Sequence, residues 1–272
     1  MHDLRERYGD NALVTGASSG IGEQFARQLA ASGFNLLITA RRQQQLQELA
    51  DELTAKHPID VQVLACDLGE GEQLDALIEK ARSMRIGLVV SNAGFGAKGE
   101  FLDHDYVQTE SMYQTNSIAP SKLAYHLLPH MVENRRGGFI FTGSVEGEVA
   151  FPYSAPYAAS KAFLHSLARS LWLEMKPHNV DILLLAPGST DTAAPIQQGV
   201  TRDQLIGLQA PAFVAQQALN ALGRRMVITP GVVNASFISF LKMLPRRWST
   251  TVAGLGMKKA LENSKRQSQA GE

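Results

Sequence analysis

The sequence predicts a doubly wound parallel α/β sheet, built as a single domain with a C-terminal basic extension. Three observations predict it. Short apolar runs alternate with stretches of helical apolar spacing, which implies parallel strands with helices on both faces. The runs are apolar at nearly every position, as strands buried on both sides require. Most are flanked by Gly, Pro or Asn, the residues that end strands. A chain of 272 residues is long for one domain, but α/β folds reach that size and bury a large core.

The elements follow in order. Residues 12–15 form the first predicted strand, and the helical pattern of 21–32 ends at Gly33, a typical C-cap. Strands at 35–40, 61–65 and 88–91 alternate with helices at 43–56 and 70–84. A long helix over 107–131 precedes a strand at 139–142, and a helix at 155–175 precedes a strand at 181–186. A helix at 211–222 and a strand at 226–229 complete the pattern. No repeat or linker interrupts it, so residues 1–245 are read as one domain and 246–272 as a basic tail, helical or disordered. From Leu241 onward seven basic residues face two acidic ones, although the whole chain is neutral, with 26 of each sign.

That neutrality excludes a nucleic-acid binder that works by neutralising phosphates. A single cysteine, Cys66, forms no intrachain disulfide and is read as a small buried residue at a strand end. The charged first ten residues do not resemble a signal peptide, and the longest apolar candidate, 226–244, is broken by Pro230, Gly231, Asn234 and Lys242. A cytoplasmic location is expected. His126 and His130 stand four apart, but Pro129 lies between them and no third ligand is evident, so no metal is expected.

The first strand runs into Thr15-Gly16-Ala17-Ser18-Ser19-Gly20-Ile21-Gly22 and then a helix. Glycines in this context allow a tight turn, close approach of the backbone to a pyrophosphate and close helix–strand packing. The helix N-terminus adds free N–H groups and partial positive charge. Downstream, Tyr157 and Lys161 stand four apart on a predicted helix and so share a face. Ser144 follows the 139–142 strand, at the carboxyl end of the sheet, where open α/β folds bind ligands. Carbonyl reduction needs a hydride and a proton. An ammonium about 4 Å from a phenol, at an effective dielectric of about 20, contributes roughly 4 kcal/mol. That is enough to bring the phenol near neutrality. A serine hydroxyl can hydrogen-bond the substrate oxygen as charge develops.

Over residues 10–230 the chain resembles the short-chain dehydrogenase/reductase family, whose fold is Rossmann-like. The motifs that carry the resemblance are Thr15–Gly22, Asp67, Asn92-Ala93-Gly94, Asn116, Ser144, Tyr157, Lys161, and Pro187-Gly188 followed by Thr192. The resemblance implies that Tyr157 is the general acid/base, that Lys161 also holds the nicotinamide ribose, and that Ser144 orients the carbonyl. It implies that Asn116 positions a relay water and that Asp67, with Leu68 beside it, meets the adenine. Asn92, Ala93 and Gly94 brace the cofactor pocket, while Pro187, Gly188, Thr190 and Thr192 flank the nicotinamide. Ser18, Ser19, Gly20 and Ile21 complete the phosphate turn between Gly16 and Gly22. Two departures stand out: Ser91 replaces a frequent second Asn, and Thr190 replaces a branched aliphatic.

The second strand ends in Ala40-Arg41-Arg42, with no carboxylate to take the ribose hydroxyls. Arg41 offers a fork to a 2′-phosphate, and Arg42 adjoins it. Positive charge at the start of a helix is otherwise awkward. NADP(H) is therefore the expected cofactor, with NAD as the alternative, although Ser19 stands where a basic residue often aids NADP binding. Phe95, Phe101, Val149, Phe151, Pro152 and Tyr153 fall in regions that border substrate in the family, which fits a small apolar, acyl or aromatic carbonyl; ordinary packing explains them equally well. Glu146 and Glu148, unusual so close to Ser144, are read as solvated loop residues in preference to groups that repel anionic substrates. Residues 193–209 match the family's substrate flap. The family commonly forms homodimers or homotetramers through the helices matched by 107–131 and 155–175. The 237–247 segment is read as a core cap or oligomer contact in preference to a peripheral membrane contact. The expected activity is NADP(H)-dependent interconversion of a carbonyl and an alcohol. The rival is a non-catalytic dinucleotide-binding sensor on the same fold.

Overall fold

A computed structural model describes residues 4–192 and 207–270, with side chains described through residue 263. Seven parallel strands form one sheet in the order β3-β2-β1-β4-β5-β6-β7. They are β1 (Asn11–Thr15), β2 (Asn35–Ala40), β3 (Val61–Ala65), β4 (Leu88–Ser91), β5 (Gly137–Thr142), β6 (Val180–Leu185) and β7 (Val227–Ile228). The chain builds outward from β1 to β3, returns to β4 beside β1, and builds the other way. The carboxyl ends of β1 and β4 therefore open a crevice at the switch point.

The helices are α1 (Leu4–Tyr8), α2 (Gly20–Ala31), α3 (Gln43–Lys56), α4 (Gly71–Ser83), α5 (Tyr106–Tyr113), α6 (Ala119–Glu133), α7 (Ala155–Met175), α8 (Pro211–Ala221), α9 (Val232–Met243) and α10 (Arg246–Ala270). Two apolar layers lie on opposite faces of the sheet. Phe25, Leu29, Leu46 and Leu53 pack with Val14 and Ile38 on one side, and Leu77, Leu123, Leu127 and Leu164 pack with Leu13, Val89 and Phe139 on the other. Alternate residues of each strand serve opposite layers, which is why the runs are apolar throughout.

The helix expected over 107–131 is instead two helices joined by a π-turn, Gln114–Ile118. Pro120 supplies the physical reason. It has no N–H to donate to the Asn116 carbonyl, and its ring crowds that carbonyl, so the α-helical ladder breaks there. Past β7 the chain forms two further helices. Ile238 and Leu241 of α9 and Ala253 of α10 are buried with Phe151 and Ala158, so the 237–247 segment and the start of the tail cap the domain. Among the described residues no helix is long and apolar enough to cross a membrane.

Candidate active site

One cleft of 660 Å³ runs along the carboxyl ends of the strands, and residues from the glycine turn to the C-terminal helices line it. Gly16 has φ +68° and Gly20 φ +61°, the left-handed region that glycine enters without penalty. A Cβ on Gly22 would lie 2.2 Å from the Gly16 carbonyl oxygen, and one on Gly16 would lie 2.9 Å from Ala93 Cα. No side chain caps α2 at Ser19, and Gly20 and Ile21 at its start line the cleft. The turn is braced from β4: the Asn92 and Ala93 N–H groups donate to Thr15 Oγ1 at 2.9 and 3.0 Å, and Asn92 Nδ2 donates to the Thr15 carbonyl at 3.2 Å.

At the outer end, Ser18, Ser19, Ile21, Arg41, Arg42, Asp67 and Leu68 line the cleft. Arg42 bends over the turn and donates to Ser18 Oγ and Ser19 Oγ, both at 2.9 Å. Arg41 stays 69% exposed and reaches Asp67 only at 3.9 Å. The two arginines thus differ: one is engaged by the turn and one is available to an incoming anion.

At the inner end, β5 delivers Ser144 and α7 delivers Tyr157 and Lys161 one turn apart. Lys161 is buried and donates from Nζ to the Thr142 carbonyl at 2.9 Å. Its Nζ lies 5.7 Å from the Tyr157 ring centroid. Burial pushes its pKa down to about 8. The expectation that Lys161 brings the phenol near neutrality is not met in this arrangement. Burial pushes the Tyr157 phenol up, the Glu146 carboxylate pushes it further, and the Ser144 hydroxyl acts against both. An ammonium above the ring does not outweigh the cost of ionising a phenol out of water.

Asn116 and Gly22 are the predicted site residues that do not line the cleft. Asn116 is fully buried in the π-turn. Its Oδ1 accepts from Phe95 N at 3.1 Å, and its Nδ2 donates to the Phe95 carbonyl at 2.8 Å and Ser160 Oγ at 3.1 Å. It still adjoins the reacting groups: a Cβ on Gly94 would meet Asn116 Oδ1 at 2.9 Å and Lys161 Nζ at 3.2 Å. Pro187, Gly188, Thr190 and Thr192 line the opposite wall. The Pro187 carbonyl accepts from Val145 N at 3.0 Å, and Thr190 Oγ1 donates to the Gly188 carbonyl at 3.1 Å.

On the substrate side Phe95 and Phe151 line the cleft. Phe101 is exposed, and Val149 packs into the cluster beneath α9. Residues 193–206 of the anticipated flap lie outside the described residues. Glu146 and Glu148 are not solvated. Glu146 pairs with Lys98, and Glu148, 3% exposed, receives hydrogen bonds from Arg169 at 2.6 Å and Lys242 at 3.0 Å. Lys98, Val233, Phe237, Val252, Gly256 and Met257 also line the cleft and escaped sequence reasoning. None sits in a motif; the only hint was the apolar spacing of the tail. Among the described residues no group of three His, Cys, Asp or Glu could hold a metal.

A family model for short chain dehydrogenases matches residues 10–203. The chain belongs to the short-chain dehydrogenase/reductase family. It is accordingly an oxidoreductase acting on CH–OH groups. A 7beta-hydroxysteroid dehydrogenase from Clostridium sardiniense is 31% identical over 233 residues, covering 85% of this chain and 89% of that protein. A short-chain dehydrogenase from Sphingobium yanoikuyae, solved in complex with NADPH, superposes with a TM-score of 0.77 at 27% identity, covering 87% of this chain and 96% of that one. A bulky-bulky ketone specific alcohol dehydrogenase from Comamonas testosteroni gives 0.75 at 25% identity, covering 97% and 94%.

Proposed function

We propose that this short-chain dehydrogenase/reductase interconverts an apolar carbonyl compound and its alcohol with NADP(H). The observation that carries the reading is the convergence of Ser144, Tyr157 and Lys161 at the inner end of the cleft that starts at the glycine turn. The residues present fit the cofactor. Glycines 16 and 22 leave no room for a Cβ, the α2 N-terminus is uncapped, and Arg41 stands exposed next to Ala40, which offers no carboxylate of the kind an NAD-selective site holds. When bound, NADP(H) supplies or accepts the hydride.

The chain's own groups do the rest. Tyr157 gives a proton from its hydroxyl in reduction and takes it back in oxidation. Its raised pKa keeps it protonated at neutral pH, which suits the reducing direction. The Ser144 hydroxyl hydrogen-bonds the substrate oxygen as charge develops. Lys161, whose Nζ lies 5.7 Å from the Tyr157 ring centroid and donates to the Thr142 carbonyl, favours the phenolate that forms as the proton leaves, with Asn116 holding the adjoining segment. Phe95, Phe151, Val233, Phe237 and Met257 exclude water and favour a bulky apolar carbonyl. The steroid and bulky-ketone names of the relatives fit that lining. Assembly as a homodimer or homotetramer is supported by Tyr125, Phe163 and Leu173, large apolar residues left exposed on α6 and α7. Sedimentation should show a dimer or tetramer.

NADPH and NADH oxidation against steroid ketones, long acyl ketones, aromatic aldehydes and sugars tests the reading. We expect turnover of apolar ketones with NADPH, and a fall of at least about a thousandfold in Tyr157→Phe. Turnover that survives in the variant removes Tyr157 as the acid. Tight NADPH binding without turnover of any carbonyl favours the sensor.

A further inference from the structure

Lys98 and Glu146 come from different loops and meet beside the reacting phenol. Lys98 lies in the segment after β4, and Glu146 lies two residues past Ser144. Lys98 Nζ donates to Glu146 Oε1 at 2.5 Å, to Oε2 at 2.6 Å and to Ser154 Oγ at 2.8 Å. Ser154 Oγ donates in turn to Glu146 Oε2. The side chains are 4% and 16% exposed, so this pair works where screening by water is weak. Lys98 Nζ also lies 5.0 Å from the Tyr157 ring centroid, closer than the 5.7 Å of Lys161.

Among the described residues, three ionisable groups line the cleft around Tyr157. Lys161 is on its own helix, Lys98 comes from the loop after β4, and Glu146 follows β5. The wall contributed by α9 and α10 is Val233, Asn234, Phe237, Val252, Ala253 and Met257, with Gly256 and Ala260, and carries no charge. Arg41, Arg42 and Asp67 line the cleft at its far end. Glu148 is held by Arg169 and Lys242.

We propose that Lys98 and Glu146 form a charge-balanced positioning pair that sets the acidity of Tyr157, the cation favouring phenolate and the carboxylate opposing it. This rests on the reading of Tyr157 as the acid/base. A buried lysine alone would leave an uncompensated charge. The carboxylate beside it keeps the ammonium in place and mutes its pull on the phenol, so the proton stays on Tyr157 until reduction takes it. The pair also ties the two loops across the cleft, through Ser154 at the foot of α7.

The test is the pH profile of alcohol oxidation, with the alcohol of the best ketone in the panel above, for wild type, Glu146→Gln, Lys98→Met, the double variant and Tyr157→Phe. Oxidation needs the phenolate, so its rate rises with pH through the apparent pKa of Tyr157. Glu146→Gln should move that limb down by about one pH unit, and Lys98→Met should move it up by a similar amount. The double variant should return near wild type, and Lys98→Arg should leave the limb in place. An ultraviolet phenolate titration, taken as the difference from Tyr157→Phe, should show the same opposite shifts without turnover. Single variants that shift in one direction, or that lose rate with an unmoved limb, overturn the pair as a tuning device. If Tyr157→Phe keeps full activity, the reading of Tyr157 fails instead.

Discussion

At the residue scale, two arginines adjacent in sequence have opposite surroundings. Arg42 is spent on Ser18 and Ser19, so it stiffens the phosphate turn. Arg41 is exposed beside Asp67 at a distance too long for a hydrogen bond. A 2′-phosphate would gain a charge-assisted hydrogen bond from Arg41, on the order of 2 kcal/mol, or about thirtyfold in affinity. Arg41→Asp should therefore raise the Kd for NADPH by thirtyfold or more while changing that for NADH little. Equal losses, measured by fluorescence titration, would move the selectivity elsewhere. The pair reads as equivalent in the sequence because adjacency says nothing of which guanidinium finds a partner. Tyr157 shows the same limit. Its spacing to Lys161 was legible, but its acidity depends on burial and on Glu146, and neither is a property of a motif.

At the scale of elements, strands and the α2 and α7 helices were legible because their periodicity is local. The exceptions have local or tertiary causes. Pro120 splits the 107–131 helix into α5, a π-turn and α6, and so buries Asn116 at the bend. Helices α9 and α10 form one wall of the cleft, which no strand-and-helix alternation announces. Gly256 on α10 lines that wall, and a Cβ there would meet nothing within 4 Å. Gly256→Phe should thus fold normally and fill substrate space. We expect KM for a bulky ketone to rise tenfold or more, a short ketone to be little affected, and NADPH affinity to hold. An equal effect on both ketones would place the substrate against another wall.

At the scale of the whole molecule, Glu148 joins the loop after Ser144 to α7 through Arg169 and to α9 through Lys242. Burial pushes its carboxyl up, but His165, 3.4 Å away, and the hydrogen bonds from Arg169 and Lys242 outweigh burial and hold it well below the usual carboxylate range. A depressed folded-state pKa means that the unfolded chain binds the proton more readily. The stabilisation is complete above the unfolded carboxylate value, about pH 4.3, and fades as the pH falls through the folded value. Glu148→Gln should cost about 2 kcal/mol at pH 7 in urea unfolding and less at pH 3. A cost independent of pH would leave packing as its only role. By itself the sequence determined the seven strands, the glycine turn and the serine, tyrosine and lysine at the sheet's carboxyl end, since each is encoded by local periodicity or short spacing. Only the tertiary structure decided that Lys98 faces Glu146, that Glu148 clamps α9, and that the C-terminal helices wall the cleft. Those contacts join residues tens of positions apart, and burial, which sets their strength, exists only once the chain has closed around them.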